Sequence, residues 1–80
     1  MTIKGTARVF VIDLENGAII LLVNAGEYRG RNVVVFREGE GAKPELFSKI
    51  VQGQHRPGDE INVEVDVVSR YSLDVVNCNT

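Results

Sequence analysis

The sequence predicts a small all-β domain, a five-stranded barrel with one short helix, on the basis of three observations. Its 80 residues are enough for one domain, residues 1–80, with one core. Its apolar content is mostly Val, Ile and Leu with no Trp, and β-branched residues favour strands. Five segments show strand patterns between Gly, Pro and Asn turn signals, and one segment shows helical spacing. The predicted order is β-β-β-α-β-β.

The first three predicted strands are apolar on both faces. They cover Thr6 to Leu14, Ala18 to Asn24 and Arg31 to Arg37, and Asn16-Gly17 between the first two is a hairpin signal. Such strands are covered on both sides, or they have one face inside a barrel and the other against a partner.

The helix prediction covers Lys43 to Gln52. Pro44 suits its first turn and Gly53 its C-terminal cap. Apolar residues fall on one side at helical spacing, namely Leu46, Phe47, Ile50 and Val51. A helix this short is stable only when it is docked on the sheet.

The last two predicted strands follow a Pro57-Gly58-Asp59 turn. From Ile61 to Val68, apolar residues alternate with mostly polar ones, which predicts a half-buried strand with an acidic outer face. After a turn at Ser69 to Tyr71, Ser72 to Asn77 forms the fifth strand.

The second half of the chain resembles OB-fold nucleic-acid-binding domains, most closely those of the anticodon-binding type. The resemblance rests on Val33-Val34-Val35-Phe36, on Leu46 to Ile50, and on Pro57-Gly58-Asp59 leading into Ile61 to Val65. It implies a five-stranded Greek-key barrel with its helix between strands three and four. An SH3-like small barrel is the structural alternative, and the docked helix argues against it.

Catalytic chemistry is not expected, and neither is a cofactor or a metal. The chain has one His and one Cys, without metal-ligand spacing or a nucleophile motif. One cysteine, Cys78, cannot form an internal disulfide, which favours a reducing compartment. No secretory signal is evident at the N-terminus, and the longest apolar run, Ala18 to Val23, is too short to cross a bilayer. We therefore expect a cytoplasmic protein that does not act at a membrane.

Candidate binding residues follow from the resemblance. In OB-folds the ligand crosses strands two and three, flanked by the loops that join strands one to two and four to five. Carried onto this sequence, a nucleic-acid-binding groove would comprise Tyr28, Arg29, Arg31, Arg37, Arg70 and Tyr71. Single-strand binding needs cations for phosphates and aromatic faces for bases. The simpler interpretation is that these arginines solubilise strand ends and that the tyrosines plug the barrel.

Two function hypotheses follow. The first is a single-stranded DNA- or RNA-binding protein, although the net charge of −2 weighs against it. Residues 1–37 carry five basic and three acidic side chains, whereas residues 38–80 carry four and eight. A basic groove therefore remains compatible with an acidic chain. The alternative is a protein-interaction module, such as a subunit or a small inhibitor, suggested by the acidic outer face of strand four (Glu64, Asp66) and by apolar sheet faces that a partner would cover. A homodimer is compatible with both hypotheses.

The sequence assigns one of the three phenylalanines to the core and leaves the role of the other two undecided. Phe47 lies on the apolar side of the predicted helix and is assigned to the core. Phe10 and Phe36 stay undecided between core and stacking roles, because their strands are apolar on both faces. Cys78 has no cationic neighbour in sequence and is expected to be inert or fortuitously exposed.

Overall fold

The predicted order of elements is confirmed by the structure, a computed structural model that describes residues 1–79. The chain contains five strands and one helix, and the helix follows the third strand in the sequence order β-β-β-α-β-β. The elements are β1 (Thr2–Asp13), β2 (Ala18–Asn24), β3 (Arg31–Phe36), α1 (Pro44–Gln52), β4 (Glu60–Ser69) and β5 (Ser72–Asn79).

The five strands form one antiparallel sheet that curls into a half-barrel. Their spatial order is β3-β2-β1-β4-β5, so the long strand β1 lies at the centre and pairs with both β2 and β4. The edge strands β3 and β5 approach each other across a seam. Side chains cross that seam: Lys43 Nζ lies 2.7 Å from Asp74 Oδ2, and Arg31 reaches the β4–β5 turn.

The core fills the concave side of the sheet. Strand alternation directs every second residue inward, and burying one such aliphatic side chain stabilises the fold by about 1.5–3 kcal/mol. The helix α1 closes the core with Leu46, Phe47 and Ile50. The buried strand residues include Ala7, Val9, Ile19, Leu21, Val23, Val33, Val35, Ile61, Val63, Val65 and Val75. Within residues 1–79, no helix is both long and apolar enough to cross a membrane.

Cys78 belongs to this core and is 1% exposed. Burial raises the pKa of its thiol, and the nearby Lys49 charge opposes that shift only in part. The side chain therefore remains a neutral thiol that packs as a small apolar group.

Strand β1 starts four residues earlier than the sequence pattern predicts. Its first part, Thr2 to Arg8, pairs with β4, and this long-range pairing leaves no signature in the local pattern. Gly5 makes a close crossing possible, because a Cβ atom there would lie 2.6 Å from Ala25 Cβ. Gly53 is the C-terminal cap of the helix, as predicted, but it is right-handed with φ −70°, and it is the next residue, Gln54, that takes the left-handed conformation at φ 58°.

Candidate functional site

The outer surface of β1, β2 and β3 carries exposed apolar side chains. The register aligns Val11, Ile20 and Val34 in one row across the three strands. Phe10 adjoins this row on β1 and is 56% exposed, and Phe36 lies two residues beyond Val34 on β3 and is 46% exposed. Two strand spacings, roughly 10 Å, separate β1 from β3. We call Phe10, Val11, Ile20, Val34 and Phe36 the phenylalanine face.

A β-bulge in β1 places two side chains on this face instead of one. Val9 pairs with Leu21 and Val11 with Ile20, so Phe10 is the extra residue. Before the bulge Val9 points into the core, and after it Ile12 lies opposite the buried Ile19. The change of phase turns Phe10 and Val11 outward together, as bulges commonly re-aim side chains.

The backbone around Phe36 is held from both sides. Phe36 pairs with Ala18 of β2, and its carbonyl oxygen accepts a hydrogen bond of 2.9 Å from the Lys43 backbone N–H. The next residue, Arg37, donates its backbone N–H to the Gly17 carbonyl at 2.9 Å. Gly17 has φ 68°, a conformation that a residue with a side chain adopts only with strain. The Phe36 ring is therefore presented from a fixed position.

A shallow cleft beside the phenylalanine face holds two arginines. Its volume is about 270 Å³, and its lining includes Arg8, Leu22, Arg29 and Glu60. Arg8 and Leu22 pair across β1 and β2, one outward row away from Val11 and Ile20. We call this the arginine cleft. Guanidinium groups are suited to binding phosphate oxygens, and Glu60 partly offsets their charge here.

Arg31, Arg70 and Tyr71, three of the residues predicted from the sequence, come together at one end of the seam. The Arg31 guanidinium donates to the Arg70 carbonyl at 3.3 Å and to the Tyr71 carbonyl at 2.9 Å. Arg70 Cζ lies 5.3 Å from the centre of the Tyr71 ring, and Tyr71 is 79% exposed. Arg31 thus holds the β4–β5 turn against the start of β3, while Arg70 and Tyr71 remain accessible.

Arg37 lies at the other end of β3 and does not join this group. Its guanidinium donates to the Leu14 carbonyl at 3.1 Å and lies 5.7 Å from the centre of the Phe47 ring. The side chain therefore ties the β1–β2 turn to the helix end of the barrel. Arg31 and Arg37 each secure one of the turns that flank β3.

Tyr28 and Arg29 occupy the loop between β2 and β3. The Tyr28 backbone N–H bonds to the Ala25 carbonyl at 2.9 Å, and its side chain is half-buried. Gly30 closes the loop through a bond of 2.8 Å to the Val23 carbonyl. Arg29 is exposed and lines the arginine cleft.

Phe10, Phe36 and Arg8 are candidate residues that the sequence prediction of the groove left out. The number of faces that one sheet can bury indicates that Phe10 and Phe36 are exposed. A single curled sheet has one inside, and the nine-residue helix packs on that inside and leaves the outer surface of β1, β2 and β3 uncovered. Strands that are apolar on both faces must therefore expose some of those side chains. Arg8 alternates with the inward Ala7 and Val9, which places it on the same outer surface.

The outer surface of β4 is polar from Glu60 to Asp66. Glu60, Asn62, Glu64 and Asp66 alternate with buried or half-buried aliphatic residues, and they lie opposite Arg8, Thr6, Lys4 and Thr2 of β1. The Met1 ammonium group is 3.3 Å from Asp66 Oδ1. This acidic strip borders the phenylalanine face on the side of β1.

The phenylalanine face and the arginine cleft together offer flat apolar rings beside cationic groups. Rings of this kind stack against planar apolar or aromatic groups, and guanidinium groups bind anions. No protein-family profile matches this chain, and neither a curated protein nor a solved structure is significantly similar to it.

Proposed function

We propose that this protein binds single-stranded nucleic acid across the outer surface of β1, β2 and β3. The observation that carries the proposal is the exposure of two phenylalanines on one sheet face, beside a cleft lined by Arg8 and Arg29. Stacking a base on an aromatic side chain contributes about 1–3 kcal/mol, and arginines supply the phosphate contacts. The resemblance of the sequence to OB-fold domains supports a ligand path over the same strands, β2 and β3.

The charge distribution supports a strand path limited to this side of the sheet. Glu60, Glu64 and Asp66 on β4 would repel phosphates, so the path runs over β2 and β3 and away from β4. Arg70 and Tyr71 lie at one end of that path, on the turn that Arg31 holds. This arrangement assigns contact roles to Phe10, Phe36, Arg8, Arg29, Arg70 and Tyr71, and positioning roles to Arg31 and Arg37.

Fluorescence anisotropy tests the proposal directly. A labelled mixed-sequence single strand of about 20 nucleotides is titrated at low and moderate salt, with the duplex as control. We expect saturable binding that exceeds duplex binding. For three phosphate contacts, from Arg8, Arg29 and Arg70, the slope of log affinity against log salt is roughly −2.1. Absence of binding at micromolar protein concentration would refute the proposal.

Phe36→Ala is the matching variant. Loss of one stacking platform weakens binding by roughly 5- to 150-fold, the equivalent of about 1–3 kcal/mol. Phe36→Trp keeps a ring at the same position and retains the affinity. Stability changes little, because the Phe36 side chain is 46% exposed, and thermal unfolding followed by circular dichroism checks this. Equal affinity of Phe36→Ala and the native protein would remove the face from the proposal.

A protein partner is the second candidate, and the aliphatic part of the same face favours it. Val11, Ile20 and Val34 form a continuous apolar row that no element of residues 1–79 covers. Apolar patches with polar borders commonly mark protein interfaces, including those of homodimers. Light scattering over a range of concentrations tests self-association. A concentration-dependent dimer that Val34→Glu dissociates, without any nucleic-acid binding, would favour this candidate.

A further inference from the structure

The floor of the phenylalanine face is aliphatic, and this has a consequence for the type of strand it accepts. Between Phe10 and Phe36 lie Val11, Ile20 and Val34, whose side chains contain neither hydrogen-bond donors nor acceptors. The backbone N–H and C=O groups of these strands lie in the plane of the sheet, toward neighbouring strands or the sheet edge, and not on its outer surface. On β3 the closest outward polar side chain toward the cleft is Asn32, two residues and roughly 7 Å from Val34.

We propose that this floor makes the site selective for DNA over RNA and for thymine over uracil, an inference that rests on the proposed function. Bases stacked on Phe10 and Phe36 bring sugars and base edges against Val11, Ile20 and Val34. A ribose 2′-hydroxyl pressed on this floor loses water without gaining a hydrogen bond, which is unfavourable. The thymine methyl group, in contrast, gains apolar contact.

Because the floor lacks polar groups, the site does not recognise base identity through hydrogen bonds. Base identity is recognised through hydrogen bonds to base edges, and the row of Val11, Ile20 and Val34 offers none. Selection therefore acts on the sugar and on the methyl group at C5, two features that differ between DNA and RNA. These two contributions are independent and can be separated chemically.

Four homopolymers of equal length separate the two contributions. Oligomers of deoxythymidine, deoxyuridine, 5-methyluridine and uridine compete with a labelled deoxythymidine strand for the native protein. We expect deoxyuridine to bind more weakly than deoxythymidine by about threefold to fourfold for one methyl group buried. Replacing deoxyribose by ribose weakens binding at least fivefold, whichever base is present.

The variant Val34→Thr tests whether the preference for DNA over RNA comes from the aliphatic floor. Threonine keeps the branched shape and adds a hydroxyl that can pair with the 2′-hydroxyl, so the ratio of DNA to RNA affinity falls toward one. Val76→Thr is the matched control, because Val76 on the other edge strand is 42% exposed against 41% for Val34 and faces α1. The control leaves the ratio unchanged, and circular dichroism melting verifies that both variants fold.

The outcomes distinguish this inference from the proposed function. Equal binding of all four homopolymers, or tighter binding of RNA, overturns the selectivity while single-strand binding stands. Selectivity that Val34→Thr does not reduce overturns its assignment to the aliphatic floor. Absence of binding by all four homopolymers refutes the proposed function, and the inference falls with it.

Discussion

The outer surfaces of β2–β3 and of β4 differ, although the inner surfaces of these strands are alike. Inside, both regions present buried aliphatic residues, such as Ile19 and Leu21 in one and Val63 and Val65 in the other. Outside, β4 alternates with Glu and Asp, whereas β2 and β3 continue with Ile, Val and Phe. Folding requires only the inner surface, and water solvates the charged half well. The apolar half of the outer surface is therefore the one that calls for an explanation by binding.

The largest expected loss of single-strand affinity comes from introducing a negative charge, as found on β4, into the apolar outer surface of β2 and β3. Val34→Glu places a carboxylate among Ile20, Phe36 and the bound phosphates, and we expect single-strand affinity to fall by roughly 100-fold or more. Val76→Glu adds the same charge at a similarly exposed site of the other edge strand and changes affinity less than threefold. Anisotropy titration measures both. Equal losses would mean that net charge matters and the face does not.

Arginine substitutions distinguish phosphate contacts from structural contacts. Arg31→Ala removes two hydrogen bonds to the β4–β5 turn and lowers the free energy of unfolding by about 1–2 kcal/mol. Arg8→Ala leaves this free energy within about 0.5 kcal/mol and weakens binding about fivefold to tenfold at low salt. It also makes the salt slope shallower by about 0.7. Lys49→Ala on α1 removes an equal charge and serves as the control for affinity.

If the Arg8 variant loses stability and keeps its salt slope, Arg8 is a structural residue and the arginine cleft is not a phosphate site. Chemical denaturation measures the free energy of unfolding, and titrations at three salt concentrations give the slope.

Reversing a charge on β4 gives a smaller effect. Glu64→Lys replaces a negative charge by a positive one beside Lys4, outside the phenylalanine face, and so raises the net charge by two. Longer-range attraction then raises single-strand affinity about twofold to threefold at low salt, and screening removes the gain at about 0.3 M salt. A larger gain that persists at high salt would place β4 in direct contact with the strand, contrary to the path proposed.

The smallest effect concerns the β1–β2 turn, which lies at the Phe36 end of the face. The side chain of Asn16 donates to Asp13 Oδ2 at 2.8 Å and, with backbone hydrogen bonds, lowers the pKa of the Asp13 carboxyl. Since the folded pKa is below the unfolded one, Asp13 adds stability above its unfolded pKa of about 3.9, and this is lost as pH falls through the folded value. Melting curves of native protein and Asp13→Asn should differ more at pH 6 than at pH 2.5.

The candidate site could be predicted only in part. The resemblance predicts that the β4–β5 turn lies near β3, and Arg31, Arg70 and Tyr71 do come together there. Arg37 shares a strand face with Arg31, but the length of β3 separates the two ends. The position of Phe36, in the core or on the surface, could not be predicted, because alternation defines two strand faces and does not say which is inside when both are apolar. Phe10 depended further on a bulge that the sequence pattern does not show.

Local chemistry in the sequence determined the number, type and order of the elements. Alternation gave the strands, the spacing of Leu46, Phe47 and Ile50 gave the helix, and Gly and Pro gave the turns. Tertiary structure alone decided which apolar face of β1, β2 and β3 was buried, where β1 bulged, and which arginines held turns in place. These outcomes depend on pairings between distant strands, such as β1 with β4, and on the space available inside one curled sheet. That limited interior is the physical reason why Phe10 and Phe36 lie outside.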